Sequence, residues 1–359
     1  MSEKDHTNPL APLEPWLNDP EVSEIMVDSY DRFYVEREGK LVDVPTPFRD
    51  DKHLMEVIDA ILTSLGQKAD ESNPLVDSRL SDNSRVNVVI PPISLTGPTM
   101  VIRKLRPSLM TFEELYRYGS VSEGIVEFLR ACIQGRLNVV VAGGAASGKT
   151  TFLNMITEMI LPDERVITVE NAFELQPRLE RVVRLASRPP DLEGKGAVTM
   201  RDLVINSLRM RPDRIVVGEV RGPETLELFQ AMNTGHDGIL FTMHANGPRE
   251  ALTRLEMMAT SANPSIPLLH LRQQMASAID LITHLERLRD GARKVLKVTE
   301  VVGMQGDVIM LQDIFEFRQA GMKEGKISGH FTATGHIPKF LERVRAAGAE
   351  LPLSLFTPQ

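Results

Sequence analysis

The chain has 359 residues, enough for two domains of ordinary size, each with its own core. Its 42% hydrophobic and 25% charged content is that of a globular chain, and no apolar run approaches the roughly 18 to 20 residues of a membrane helix. A net charge of −8 argues against direct nucleic-acid binding, whose footprint is a basic patch, and the single cysteine excludes an intramolecular disulfide and a multi-cysteine zinc site. The opening, MSEKDHTNPL, is polar and lacks the apolar segment of a secretion signal, so a cytoplasmic setting is expected. Cys132 falls on the apolar face of a predicted helix and is expected in the core. The scattered methionines read as core filling.

In chain order, residues 1–106 predict a small α+β domain. Strand-like runs at 23–27, 33–38 and 40–44 are separated by turn residues. A helix over 51–65 follows, with Leu54, Val57, Ile58, Ile61 and Leu62 at helical spacing. Further strands are predicted at 77–80, 85–91 and 99–105. Pro107 interrupts the pattern, and 107–120 reads as a linker with a short helix. From Val121 helices alternate with apolar strands, the pattern of a mostly parallel sheet covered by helices. Helices are predicted at 123–133, 149–160, 201–210 and 223–233, with another opened by Asn246 and Pro248. Strands are predicted at 137–142, 165–170, 215–218 and 239–243. This domain is placed at 121–325. Residues 326–359, charged and glycine-bearing with one helix near 338–347, read as an appendage.

Gly143-Gly144-Ala145-Ala146-Ser147-Gly148-Lys149-Thr150 satisfies G-x-x-x-x-G-K-S/T at every fixed position. Glycines let successive backbone N–H groups face a phosphate at the positive end of the next helix. Lys149 offers a point charge to the outer phosphates, and the Thr150 hydroxyl can ligate Mg²⁺. The apolar strand before this loop and the helix after it, which begins with Thr150 and Thr151, are the context that nucleotide binding demands. Ala146 occupies a position where a positive φ is disfavoured by its Cβ. Carboxylates follow two strands: Glu170 and Glu174 after 165–169, and Glu219 after 215–218. His236 and His244 bracket the strand at 239–243, and either serve the structure or sense a γ-phosphate.

Assembled in this order, TVENAFE, VGEVR and TGHDGILFTMHAN resemble the aspartate box, Walker B motif and histidine box of the secretion-ATPase superfamily, the RecA-like motors of type II and type IV secretion and of type IV pili. The wording of RPPDLEGKGAVTMRDLVINSLRMRPDRIVVGEVRG, AMNTGHDG, DSRLSDNSRVNVVIPP and GHFTATGHIPKFLERVRAAG is similar to that of the Tad/Flp pilus assembly ATPases, and the resemblance covers residues 20 to 355. It implies an α/β RecA-like P-loop domain preceded by a PAS-like α+β domain. It also implies a cytoplasmic homohexamer that hydrolyses ATP with Mg²⁺ and works on an inner-membrane platform protein, without a membrane span of its own. By motif position, Glu174 would polarise the attacking water and Glu219 would stand near Mg²⁺. His236 and His244 are the histidine-box residues, and Arg85 and Arg103 would reach the phosphates from the N-terminal domain. Arg79, Arg209, Arg211 and Arg221 are intersubunit charges or solvated ones. The chain departs from the family at Asn171, where the aspartate box has its aspartate, at Ala145-Ala146 for the commoner Thr-Gly, and in a short segment ahead of the PAS-like domain. Two rival readings remain: a DNA- or effector-transfer motor of a type IV secretion system, and a nucleotide-binding scaffold without turnover.

Overall fold

The computed structural model describes residues 8–37, 40–104, 110–190, 194–323 and 325–358. The first seven residues, Glu38 and Leu105 at two predicted strand ends, Pro107–Leu109 of the predicted linker and Asp191–Glu193 of the Tad/Flp-like wording lie outside the described residues. The chain divides into two compact units, Met1–Pro107 and Ser108–Gln359.

The first unit carries α1 (Glu14–Leu17), β1 (Val22–Ser29), β2 (Arg32–Arg37), β3 (Lys40–Asp43), α2 (Asp51–Ser64), β4 (Leu75–Arg79), β5 (Arg85–Val89) and β6 (Thr99–Arg103). Its strands form one antiparallel sheet in the order β3-β2-β1-β6-β5-β4. The five apolar residues that predicted α2 are the ones it buries, and Asp50 caps the helix by accepting from the His53 amide at 2.8 Å.

The second unit carries α3 (Phe112–Arg117), α4 (Glu123–Gln134), β7 (Val139–Gly143), α5 (Lys149–Thr157), β8 (Val166–Glu170), β9 (Val182–Ala186), α6 (Met200–Ser207), β10 (Arg214–Val217), α7 (Glu224–Asn233), β11 (Leu240–His244), α8 (Pro248–Ala262), α9 (Leu268–Ala278), β12 (Leu281–Arg287), β13 (Arg293–Gln305), β14 (Val308–Lys323), β15 (Lys326–Ala333) and α10 (Leu341–Ala346). They build a nine-stranded sheet in the order β15-β14-β13-β12-β7-β11-β10-β8-β9, parallel from β12 to β9 and antiparallel from β12 to β15. β7 is buried on both faces, which is why it reads as an unbroken apolar run. Val139 and Val141 join a core with α4, α5 and α10, while Val140 and Ala142 join another with α6, α7, α8 and α9. Cys132 is buried in the first of these cores, as expected.

Three features differ from the sequence expectation. Residues 326–359 are no appendage: β15 pairs along β14, and the buried Phe356 ring lies 5.9 Å from Phe128 in the core. Strands β12 to β14 and helix α9 had no predicted counterpart. In β13 and β14 the alternation of apolar and polar residues is broken by register shifts next to Gly303 and Gly321. The segment expected as a linker contributes Leu115 of α3 to the second unit's core.

Candidate nucleotide site

The parallel registers align the carboxyl ends of four strands. His244 pairs with Gly143, Val217 with Phe241 and with Val169, and Glu170 ends β8 beside them. Residues 143–150 span from β7 to α5 at this edge. A Cβ on Gly143 would fall 2.5 Å from both Leu285 O and Ser147 Oγ, so only glycine fits. Gly148, the residue before α5, has φ +92, and Ala146 takes φ +55 despite its Cβ. Ser147 Oγ donates to Gly144 O at 3.0 Å and Lys149 Nζ donates to the same carbonyl at 2.8 Å. Burial pushes the Lys149 ammonium down from its ordinary pKa, with nearby Glu219 opposing the shift.

The aspartate-box turn is clamped to α5. Asn154 donates to Glu174 O at 3.3 Å and accepts from the Gln176 amide at 2.8 Å, while Thr150 Oγ1 lies 3.4 Å from Glu174 Oε2. From below, Glu170 Oε2 accepts from the Glu174 and Leu175 amides at 2.8 and 2.7 Å. Glu170 is 1% exposed, and burial pushes its pKa up to about 7 despite those two donors. Its other oxygen has no hydrogen-bond partner, and a Cβ on Gly218 would come 3.1 Å from its Cγ. Asn171, in place of the aspartate, accepts from Ser187 Oγ at 2.9 Å.

Glu219 is paired with Arg221, and His244 Nε2 lies 2.9 Å from its Oε1, yet that buried oxygen accepts no well-aligned hydrogen bond. Burial, then the Lys149 charge, holds His244 below its ordinary pKa, with Glu219 opposing the shift. No three acidic, histidine or cysteine side chains converge as a metal cage among the described residues. The Thr150 hydroxyl and the under-bonded Glu219 instead suit a Mg²⁺ that keeps waters and phosphate oxygens as its other ligands. They would hold it, and the ion would neutralise charge on the outer phosphates.

Within the second unit, one predicted site residue lies away from this edge. His236 precedes β11 at the opposite, amino end of the strands, where it lines a small cavity with Asp213 and Arg214. The two histidines of one motif are separated because the strand between them runs the height of the sheet. Arg85 and Arg103 lie in the first unit, where they pair in register on β5 and β6. Arg85 Nε donates to Asp77 at 2.9 Å and Arg103 pairs with Glu24. Arg79 is opposite Arg85, so three arginines form a row across β4, β5 and β6. Sequence reasoning missed Arg293 at the start of β13, whose Nε donates to Ala146 O at 2.8 Å. No motif could have found a contact across 147 positions.

A parallel sheet with a glycine-built loop between β7 and α5, faced by Thr150, Glu174 and Glu219, defines a P-loop nucleotide-binding domain. The chain belongs to the family described as "Type II/IV secretion system protein", whose model matches residues 6–334. It is 33% identical over 294 residues to the conjugal transfer protein TrbB of Rhizobium radiobacter, covering 81% of this chain and 86% of that one. Among solved structures, the Legionella pneumophila ATPase DotB is similar with a TM-score of 0.59 at 20% identity, covering 83% of this chain and 82% of that chain. The pilus retraction motor PilT with bound ADP is similar at the same TM-score of 0.59 and 20% identity, over 80% of this chain and 81% of that chain. These structural likenesses establish the fold: a RecA-like domain preceded by an N-terminal α+β domain.

Proposed function

We propose that this chain is an ATP-hydrolysing, Mg²⁺-dependent motor of a macromolecular transfer machine, acting as a cytoplasmic homohexamer against an inner-membrane partner. The observation that carries the reading is the convergence of Lys149, Thr150, Glu174 and Glu219 on one sheet edge. Backbone amides of 143–148 and Lys149 bind the phosphates, Glu174 orients water for in-line attack, and Glu219 stands at the Mg²⁺ position. His244, beside Glu219, is placed to bond a phosphate oxygen. Asn171 lacks the usual negative charge but leaves Glu174 in position, which favours turnover over a scaffold role. Arg79, Arg85 and Arg103 form a cationic row on the N-terminal unit, where Arg85 pairs with Asp77 and Arg103 with Glu24. No helix among the described residues is long and apolar enough to cross a membrane, so attachment falls to a partner.

Similarity to TrbB favours transfer of DNA or effectors through a type IV secretion apparatus. The Tad/Flp-like wording of residues 188–222 and 329–348 supports pilus assembly as the second reading. Steady-state hydrolysis by purified Glu174→Gln protein tests the enzyme. We expect nucleotide binding retained and kcat reduced at least about 100-fold, within the range of general-base losses; unimpaired turnover would remove Glu174 from the chemistry. Salt-sensitive DNA binding by the wild type separates the two machines, being expected only for DNA transfer.

A further inference from the structure

Ala146 is one of four non-glycine residues with positive φ among the described residues, at +55, within the loop that must present its amides to a phosphate. An L-residue resists this conformation, because its Cβ crowds the following carbonyl. Something outside the loop must therefore hold it there. The β12–β13 hairpin touches the loop at two points. Leu285 O of β12 closes on Gly143, where a Cβ would fall 2.5 Å away. Arg293 of β13 donates Nε–H to Ala146 O at 2.8 Å, and its Cδ lies 3.3 Å from where a Cβ on Gly148 would stand. The hairpin itself is fixed. Arg287 pairs with Arg293, Asp290 accepts from the Ala292 and Ile327 amides at 3.0 and 2.7 Å, and Lys294 Nζ donates to Gly119 O at 2.6 Å.

We infer that Arg293 is a positioning residue for the phosphate loop, holding Ala146 left-handed so that the loop is shaped before nucleotide arrives. The inference rests on the nucleotide-binding reading of residues 143–150. Preorganisation of this kind shows in affinity, because a loop that must be ordered on binding takes the cost out of the binding free energy. It also specifies an epistatic partner. Glycine at 146 adopts positive φ freely and no longer needs the tether.

The test measures the affinity of the purified full chain for N-methylanthraniloyl-ADP with Mg²⁺ by fluorescence, for wild type, Arg293→Ala, Arg293→Gln, Ala146→Gly and the Ala146→Gly/Arg293→Ala double variant, with melting temperatures recorded. Arg293→Ala and Arg293→Gln are expected to weaken binding about tenfold with little change in melting temperature. Removing Arg293 in the Ala146→Gly background is expected to weaken it less than threefold. Arg293 variants within twofold of a tightly binding wild type would overturn the inference. A tenfold loss that persists unchanged with glycine at 146 would also overturn it, since the arginine would then act through charge alone. A wild type that fails to bind the probe would instead remove the nucleotide reading beneath it.

Discussion

At the amino end of the second unit's parallel strands, Arg214 is wholly buried, and Glu164 accepts from its Nε and Nη2 at 2.7 and 3.0 Å while Arg136 approaches the same carboxylate at 2.8 Å. Asn138 there bonds Ala278 O and the Ile239 amide at 2.8 and 2.9 Å, and Asp280 pairs with Arg343 at 2.6 Å. At the carboxyl end, by contrast, Glu170 and Glu219 each keep a buried oxygen without an aligned donor, and Lys149 holds only a loop carbonyl. Both ends bury charge in one sheet. One pairs its buried arginine with a carboxylate, though Arg214 Nη1 and His236 Nδ1 stay unbonded there, whereas the other leaves carboxylate oxygens and an ammonium that a Mg²⁺, a water or a phosphate can engage. What tells the two ends apart is whether the buried charges are paired with each other: Arg214 with Glu164 at one, and, among the described residues, neither Lys149 nor Glu170 so matched at the other.

The sharpest way to break this comparison is a pair of substitutions, one at each end. Arg214→Ala leaves Glu164 with a single partly exposed partner and should cost about 3 kcal/mol or more, the usual penalty for orphaning a buried charge. That corresponds to a melting temperature lower by roughly 10 °C, with nucleotide affinity of the folded fraction unchanged. Lys149→Ala removes a charge that burial already disfavours, so melting should move by no more than a few degrees. Affinity for ADP or ATP should fall at least about 100-fold, or some 3 kcal/mol. Thermal melts and equilibrium binding on both variants decide it. If Lys149→Ala melts as badly as Arg214→Ala, the carboxyl end is structural after all.

Much of this contrast was legible in the sequence, but unevenly. The loop at 143–150 announces itself because its requirements are local: glycine conformations, a lysine and a hydroxyl within eight successive residues. Glu174 and Glu219 could be picked out as candidates because strand ends in a parallel sheet converge, and a strand end can be read from an apolar run. His236 and His244 read as one motif, and in the chain they lie at opposite ends of β11. The strand Leu240–His244 ends at one of them and begins past the other, and motif order does not say which end of a strand a residue occupies. Arg293 and the neutralising trio of Glu164, Arg136 and Arg214 were invisible for a different reason. Their partners are fixed only when the sheet closes, across 147 and 50 positions in the chain. Strands β12 to β15 escaped because long antiparallel strands with bulges and one exposed face lack the dense apolar signal of β7 or β11.

A smaller effect sharpens the carboxyl end alone. Glu170 has an ordinary value of 4.5 in the unfolded chain and about 7 in the folded one. Between those values the folded chain holds a proton that the unfolded chain has released, so this group's contribution to stability is fully present below pH 4.5 and lost as pH rises through 7. Glu170→Gln keeps an oxygen for the Glu174 and Leu175 amides and removes the titration. Above pH 7.5 the variant should be more stable than wild type by on the order of 2 kcal/mol, and below pH 5 the two should coincide. Urea unfolding at both pH values checks this, and parallel curves would mean that Glu170 stays ionised in the folded chain.

The smallest effect expected separates the two histidines. His244 Nε2 stands 2.9 Å from Glu219, and Ala at this position should lower turnover about tenfold, at the lower end of what a positioned polar group contributes. His236 lies at the other end of β11, its amide bonded to Ala231 O at 3.1 Å and its ring in the cavity beside Arg214. Its replacement by Ala should change ADP affinity less than twofold, because nothing at that level of the sheet faces the loop. ADP titration of both variants, with steady-state turnover of the first, measures the difference. An affinity loss at His236 as large as that of a loop variant would mean that the amino end of the strands is coupled to nucleotide, as it would be if the proposed hexamer brought that end to a neighbouring site, and the division between the two ends would have to be redrawn.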